Sequence, residues 1–144
     1  MKKILVIHGL NHDKMGKEEN SAHPVAMETL NEQMEQAARQ LGVFLSFYQN
    51  NDIQNVCHTI LSAPEQGIQG IVFNPAAWMD TGAETAQALK MADLPVVEVH
   101  MSNINKEVTC SNVIAPAVTG LVTGFGEMVY VIGLRMLAEY LGGQ

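Results

Sequence analysis

Short apolar runs alternate with amphipathic stretches along almost the whole chain. Residues 2–9, KKILVIHG, form a strand-length apolar run closed by a glycine, and the polar, irregular stretch 10–23 reads as a loop. From Pro24 onward, Met27, Leu30, Met34, Ala37, Ala38 and Leu41 recur at spacings of three and four, and Gly42 supplies a stop. This predicts an amphipathic helix. Residues 43–49, VFLSFYQ, predict a second strand, and Ile53, Val56, Cys57, Ile60 and Leu61 mark the face of a second helix. GIVFN, 70–74, is the third strand; the loop PAAWMDTG follows, and residues 83–92 read as a helix. Pro95 opens a fourth strand, Val96 to Val99, and GLVTGF, 120–125, makes a fifth before a last helix running to Leu141. Its apolar positions Val131, Leu134, Leu137 and Leu141 fit either the core or a contact between subunits.

Strands alternating with helices predict an α/β fold whose parallel sheet is covered on both faces. The chain has 144 residues, the size of a single domain spanning 1–144. No apolar run approaches the ~20 residues of a membrane span. The lysines and short apolar run at the start resemble a signal peptide without a cleavage site, so they are read as the first strand. A net charge of −7 argues against nucleic acid as a partner. Cys57 and Cys110 lack metal-type spacing and read as reduced thiols, so a cytoplasmic location is expected.

Ligands of such sheets sit beyond the carboxyl ends of the strands, where residues 8–17, 74–80 and 98–103 would gather. The fourth strand is unusual there. VVEVHMSN, 96–103, carries Glu98 amid valines and His100 at its exit, and a buried carboxylate is costly unless paired or used. Glu98 and His100 are therefore candidates for acid/base chemistry. His8, His12, Asp13, His23, Asp80 and His100 could also gather at this edge as ligands for zinc or iron. However, the His-x3-His spacing crosses a strand end and a glycine turn rather than a helix, and no metal is assigned. GFGEMV, 124–129, has Val129 in the third glycine position of a nucleotide fingerprint and is read as a tight packing turn, so no cofactor is assigned. Trp78 could face a ligand or an interface.

Four stretches together resemble the type II 3-dehydroquinate dehydratases over nearly the whole chain. HGLNHDKMG, 8–16, is similar to the family's N-G-P-N-x-N-x-x-G; FNPAAWMDT, 73–81, to N-P-G-A-x-x-H-T; VEVHMSNI, 97–104, to V-E-V-H-x-S-N-I; the fourth is GLVTGFG, 120–126. The resemblance implies a flavodoxin-like three-layer sandwich with five parallel strands in order 2-1-3-4-5, and trimers assembled into a dodecamer. It also implies a hydro-lyase that removes water from 3-dehydroquinate, or a related small cyclic hydroxy-keto carboxylate, by anti elimination through an enolate. Carried over, Asn11 holds the water that stabilises the enolate, and Asn74 is a second site asparagine. His100 is the general acid oriented by Glu98, and the Met101 and Ser102 amides cradle the substrate carboxylate.

The half of the site that removes the proton is altered. Counting from Gly16, the family's loop arginine falls on Glu18 and its catalytic tyrosine on His23, while the histidine after N-P-G-A falls on Asp80. The arginine that contacts a ring hydroxyl falls near Thr109. No register slip restores an arginine, since the chain has only Arg39 and Arg135. A Glu18/His23 pair would hold a neutral imidazole as base, with a pKa nearer 7 than the ~10 of a tyrosine. Two other readings stay open: a non-catalytic protein that keeps the carboxylate cradle, and a metal-dependent enzyme.

Overall fold

The computed structural model describes residues 1–17, 24–107 and 110–143. Five strands, β1 (Lys2–His8), β2 (Val43–Gln49), β3 (Gly70–Asn74), β4 (Val96–His100) and β5 (Gly120–Thr123), form one sheet in the order β2-β1-β3-β4-β5. All neighbours pair in parallel. The helices are α1 (Met27–Leu41), α2 (Ile53–Ser62), the single turn α3 (Trp78–Thr81), α4 (Ala83–Ala92) and α5 (Met128–Gly142). This is the flavodoxin-like order expected from the motifs.

The two faces of the sheet divide the core. Ile4 and Val6 of β1, with Val72, Val97 and Val99, pack against Leu30 and Met34 of α1 and Tyr130, Leu134 and Leu137 of α5. Leu5 and Ile7, with Ile71 and Phe73, pack against Val56 and Ile60 of α2 and Ala86 and Leu89 of α4. Alternation within β1 thus feeds both layers, as the period of two requires. In β3 and β4 every residue is buried, including Glu98 and His100. Trp78 is 5 % exposed and belongs to the second of these layers, so it is a core side chain.

Several boundaries differ from those expected. The first strand stops at His8 rather than Gly9, while the fourth runs one residue further to His100. The fifth stops at Thr123 because Gly124, Phe125 and Gly126 all take positive φ, at 94°, 68° and 67°, and left-handed backbone cannot extend a strand. The first helix begins at Met27, three residues after Pro24, and ends where Gly42 adopts φ 70° and returns its N–H to the Ala38 carbonyl. The loop 75–82 contains the turn α3. On the last helix, Leu134, Leu137 and Leu141 are core, with Val131 partly buried against them. The same helix keeps a second apolar row at spacings of four, Met128, Ile132, Met136 and Tyr140, each more than two fifths exposed.

Candidate active site

The carboxyl ends of β1, β3 and β4 bring the polar side chains together, because parallel strands deliver all their exits to one edge. His8 and Asn74 are paired in register at the ends of β1 and β3. His8, His12, Asn74, Glu98 and His100 are all buried. Two cavities open there. The smaller, about 170 Å³, is lined by His12, Asn74, His100, Met101 and Ser102 among others. The larger, about 470 Å³, shares Met101 and Ser102 and is lined also by Val25, Phe125 and Glu127.

Glu98 and His100 lie two residues apart on one face of β4, so the pleat points both the same way. His100 Nε2–H donates to Glu98 Oε2, and the Asn112 amide donates to the same oxygen at 2.8 Å. The carboxylate therefore fixes both the tautomer and the plane of the ring, leaving Nδ1 as the nitrogen that can exchange a proton. Glu98 Oε1 is buried with no hydrogen-bond partner among the described residues. A carboxylate so enclosed tolerates its burial through the ring and the amide that hold it, an arrangement suited to balancing an imidazolium.

Asn74 uses both ends of its amide. Its Nδ2 donates to the Tyr130 hydroxyl at 2.8 Å, and its Oδ1 accepts from the Ala76 N–H at 3.1 Å. The second bond holds Ala76 at φ 53°, a left-handed conformation that a residue with a Cβ adopts at some cost. Burial pushes the Tyr130 hydroxyl well above the ordinary tyrosine range, with the Asn74 bond opposing it. Tyr130 is thus a neutral hydroxyl that anchors the asparagine.

The other residues expected at the site are placed as follows. Asn11 is exposed in a left-handed turn at φ 63°, its backbone N–H donating to Asn51 Oδ1, and it is not among the residues lining the smaller cavity. Asp80 is exposed on α3 and lines neither cavity. Met101 and Ser102 stand at the mouth shared by the two. Glu18, His23 and Thr109 lie outside the described residues. Among the described residues, no group of three or more His, Cys, Asp or Glu side chains is placed to hold a metal ion.

Three residues that the sequence reading does not assign a role here complete the arrangement: Asn112, Tyr130 and His12. Asn112 also accepts the Ile114 and Ala115 amides at 3.0 and 3.1 Å, an Asx turn before Pro116 that its position in NVIAP could have signalled. Tyr130 meets Asn74 across 56 positions of sequence, which no local pattern shows. His12 accepts the Gly9 N–H on Nδ1 at 2.8 Å.

His8 is fully buried, with Nε2–H donating to Asn31 Oδ1 at 2.6 Å and Nδ1 without a partner among the described residues. Desolvation pushes its pKa below the usual histidine value, against the Asn31 bond and the Glu28 charge, which raise it. The native ring is therefore the neutral one, and the unfolded chain binds the extra proton as the pH falls through about 6.5. The stability that His8 confers is full above that pH and is lost below it. Thermal melts taken from about pH 7.5 to 5.5 should fall with acidity, and His8→Asn should flatten the fall. Equal slopes in the two proteins would show that another group controls it.

The family described as Dehydroquinase class II matches residues 2–138. A 3-dehydroquinate dehydratase of Caldicellulosiruptor bescii is 35 % identical over 144 residues, an alignment covering 98 % of this chain and 99 % of that protein. Among solved structures, the type II dehydroquinase from Propionibacterium acnes superposes with a TM-score of 0.87 at 30 % identity, covering 96 % of this chain and 97 % of that one. The type II dehydroquinase from Butyrivibrio crossotus gives a TM-score of 0.87 at 28 % identity over 94 % and 97 % of the two chains.

Proposed function

The chain belongs to the class II dehydroquinase family, and on that premise we propose that it is a hydro-lyase acting on 3-dehydroquinate or a closely related cyclic hydroxy-keto carboxylate. The observation that carries this reading is the buried Glu98–His100 pair, fixed by Asn112 and open to a cavity beside the Met101–Ser102 turn.

In this reading the substrate carboxylate is held by the Met101 and Ser102 amides. A base takes the proton from the carbon next to the ketone, and the electron pair moves onto the carbonyl oxygen as an enolate. Asn11 holds a water against that oxygen at the rim. The pair then returns, the carbon–oxygen bond of the leaving hydroxyl breaks, and His100 delivers a proton so that water departs. Glu98 offsets the charge that His100 carries when protonated. Asn74 shapes the cavity, while Asp80, which lines neither cavity, is given no role in this reading.

The base is His23, with Glu18 holding it, since the family's arginine and tyrosine are both replaced. His23→Ala should lower kcat for 3-dehydroquinate by about a hundredfold, an ordinary share for a general base. The product is a conjugated enone whose ultraviolet absorbance reports the rate. A variant as fast as the wild type would remove His23 from the mechanism and leave the acid half untouched. If folded wild-type protein gave no enone yet melted at a higher temperature with 3-dehydroquinate present, a binding protein that has kept the carboxylate cradle would be the better reading.

The proposal includes assembly with further copies of this chain, a trimer-based dodecamer in a cytoplasmic setting. The exposed row on α5, and Phe125 at 81 % exposed, support a contact between copies, while the dodecamer and the setting follow from the family alone. Sedimentation velocity showing a monomer would remove this part. No described helix is long and apolar enough to cross a membrane.

A further inference from the structure

We propose that His12 is a catalytic residue that donates its Nε2–H directly to the enolate oxygen, in addition to the water assigned to Asn11. This rests on the dehydratase reading above. Asn11 in left-handed conformation reverses the chain, and the 3-10 turn of residues 12–14 brings the His12 ring back over Gly9. Two bonds join the residues: the His12 N–H donates to the Gly9 carbonyl at 3.2 Å, and the Gly9 N–H donates to His12 Nδ1 at 2.8 Å. The residue is 4 % exposed, and its ring stands edge-on to His8, with centroids 6.1 Å apart and planes at 77°.

A backbone N–H can only donate. Nδ1 must therefore offer its lone pair, and the neutral imidazole carries its proton on Nε2. An imidazolium would direct a second N–H at that of Gly9 and forfeit the bond, so the neutral form is the one this turn holds. Such a ring has no lone pair on Nε2, and this excludes His12 as the missing base. It is a fixed, uncharged N–H donor. Because Nδ1 is turned to the Gly9 N–H, the Nε2 edge is what His12 can present to the cavity that it shares with Asn74 and His100. A ligand can take this N–H in exchange for whatever hydrogen bond the ring makes without it.

The chemistry fits a donor of this kind. When the base removes the proton, negative charge appears on the former carbonyl oxygen, and an N–H already aimed there stabilises it without reorganising. The proton stays on Nε2 throughout. His100 alone gives up a proton, to the departing hydroxyl, and the protonated base returns one through solvent to close the cycle.

The test combines kinetics and nitrogen NMR on the full chain. With ring-15N histidine, His12 should show a protonated Nε2 and a bare Nδ1 near neutral pH, and its Nε2–H resonance should move when 3-dehydroquinate is added. His12→Leu should lose about a hundredfold in kcat with little change in KM, and His12→Gln, which restores an N–H, should recover about tenfold of that. Turnover by His12→Leu within about threefold of the wild type, in a chain where His100→Ala is inactive, would overturn the role of His12 and spare the dehydratase reading. A folded wild-type chain with no turnover would overturn that reading instead. With no enolate formed, the role of His12 would fall with that reading, whereas loss of turnover confined to His100→Ala refutes His12 alone.

Discussion

His100→Ala should abolish most of the turnover of 3-dehydroquinate, by roughly 10³-fold within the 10²–10⁴ that general acids supply. The leaving group is a hydroxyl, which departs poorly unless it is protonated as it goes. His100 Nδ1 is the nitrogen free to deliver that proton, because Glu98 occupies Nε2. Alanine also leaves the carboxylate of Glu98 buried with the Asn112 amide as its one hydrogen-bond partner among the described residues, so some stability should go with the activity. His100→Gln separates the two effects. Its side-chain amide can still donate to Glu98 but cannot transfer a proton, so the fold should recover while the activity stays lost. Urea melts and steady-state rates on the two variants make the comparison, and a His100→Gln chain with near wild-type kcat would contradict the assignment.

The second large effect is expected at a residue with no side chain, in the turn that joins His8 to His12. Gly9→Ala should destabilise the chain by about 3 kcal/mol or more, near the upper end of what overpacking a tight contact costs. A Cβ there would stand 2.4 Å from the Asn74 carbonyl oxygen and 2.6 Å from the carbonyl carbon and oxygen of Pro75. All three atoms are backbone, so no rotamer change relieves the clash, and the exits of β1 and β3 must move apart. Those exits carry Asn74 and His12, and Gly9 also donates to the His12 ring and accepts from Gln49 Nε2 at 3.2 Å. Activity per folded molecule should therefore fall too. A loss of less than about 1 kcal/mol in urea denaturation would mean that the strand ends part freely.

The sheet was legible because each strand's apolar run is short and each helix repeats at three and four. The helix expected over 83–92 is the one observed, and the order of the strands follows the motifs. The end of β5 was not legible, since nothing in GLVTGF tells that Phe125 joins its flanking glycines in left-handed backbone. Glu98 and His100 could be read locally because alternation along one buried strand puts both on one face. The Tyr130–Asn74 and Asn112–Glu98 contacts could not, because each is made only when the sheet edge closes, whereas the Asx turn of Asn112 and the bond from Gly9 to the His12 ring are local. Asn11 and Asp80 show the converse. Asn11 keeps its motif residue and Asp80 replaces the family's histidine, yet neither lines the smaller cavity, where motif matching alone would have put them. Trp78, ambiguous in sequence, is settled by its place among Ile7 and Phe73 in the core.

The measurement that bears most directly on the account is the ultraviolet absorbance of purified, folded protein incubated with 3-dehydroquinate, beside His100→Gln under the same conditions. The account predicts steady formation of the conjugated enone by the wild-type chain and at least a hundredfold less by the variant. No enone from the wild type, or equal rates from both, would contradict it.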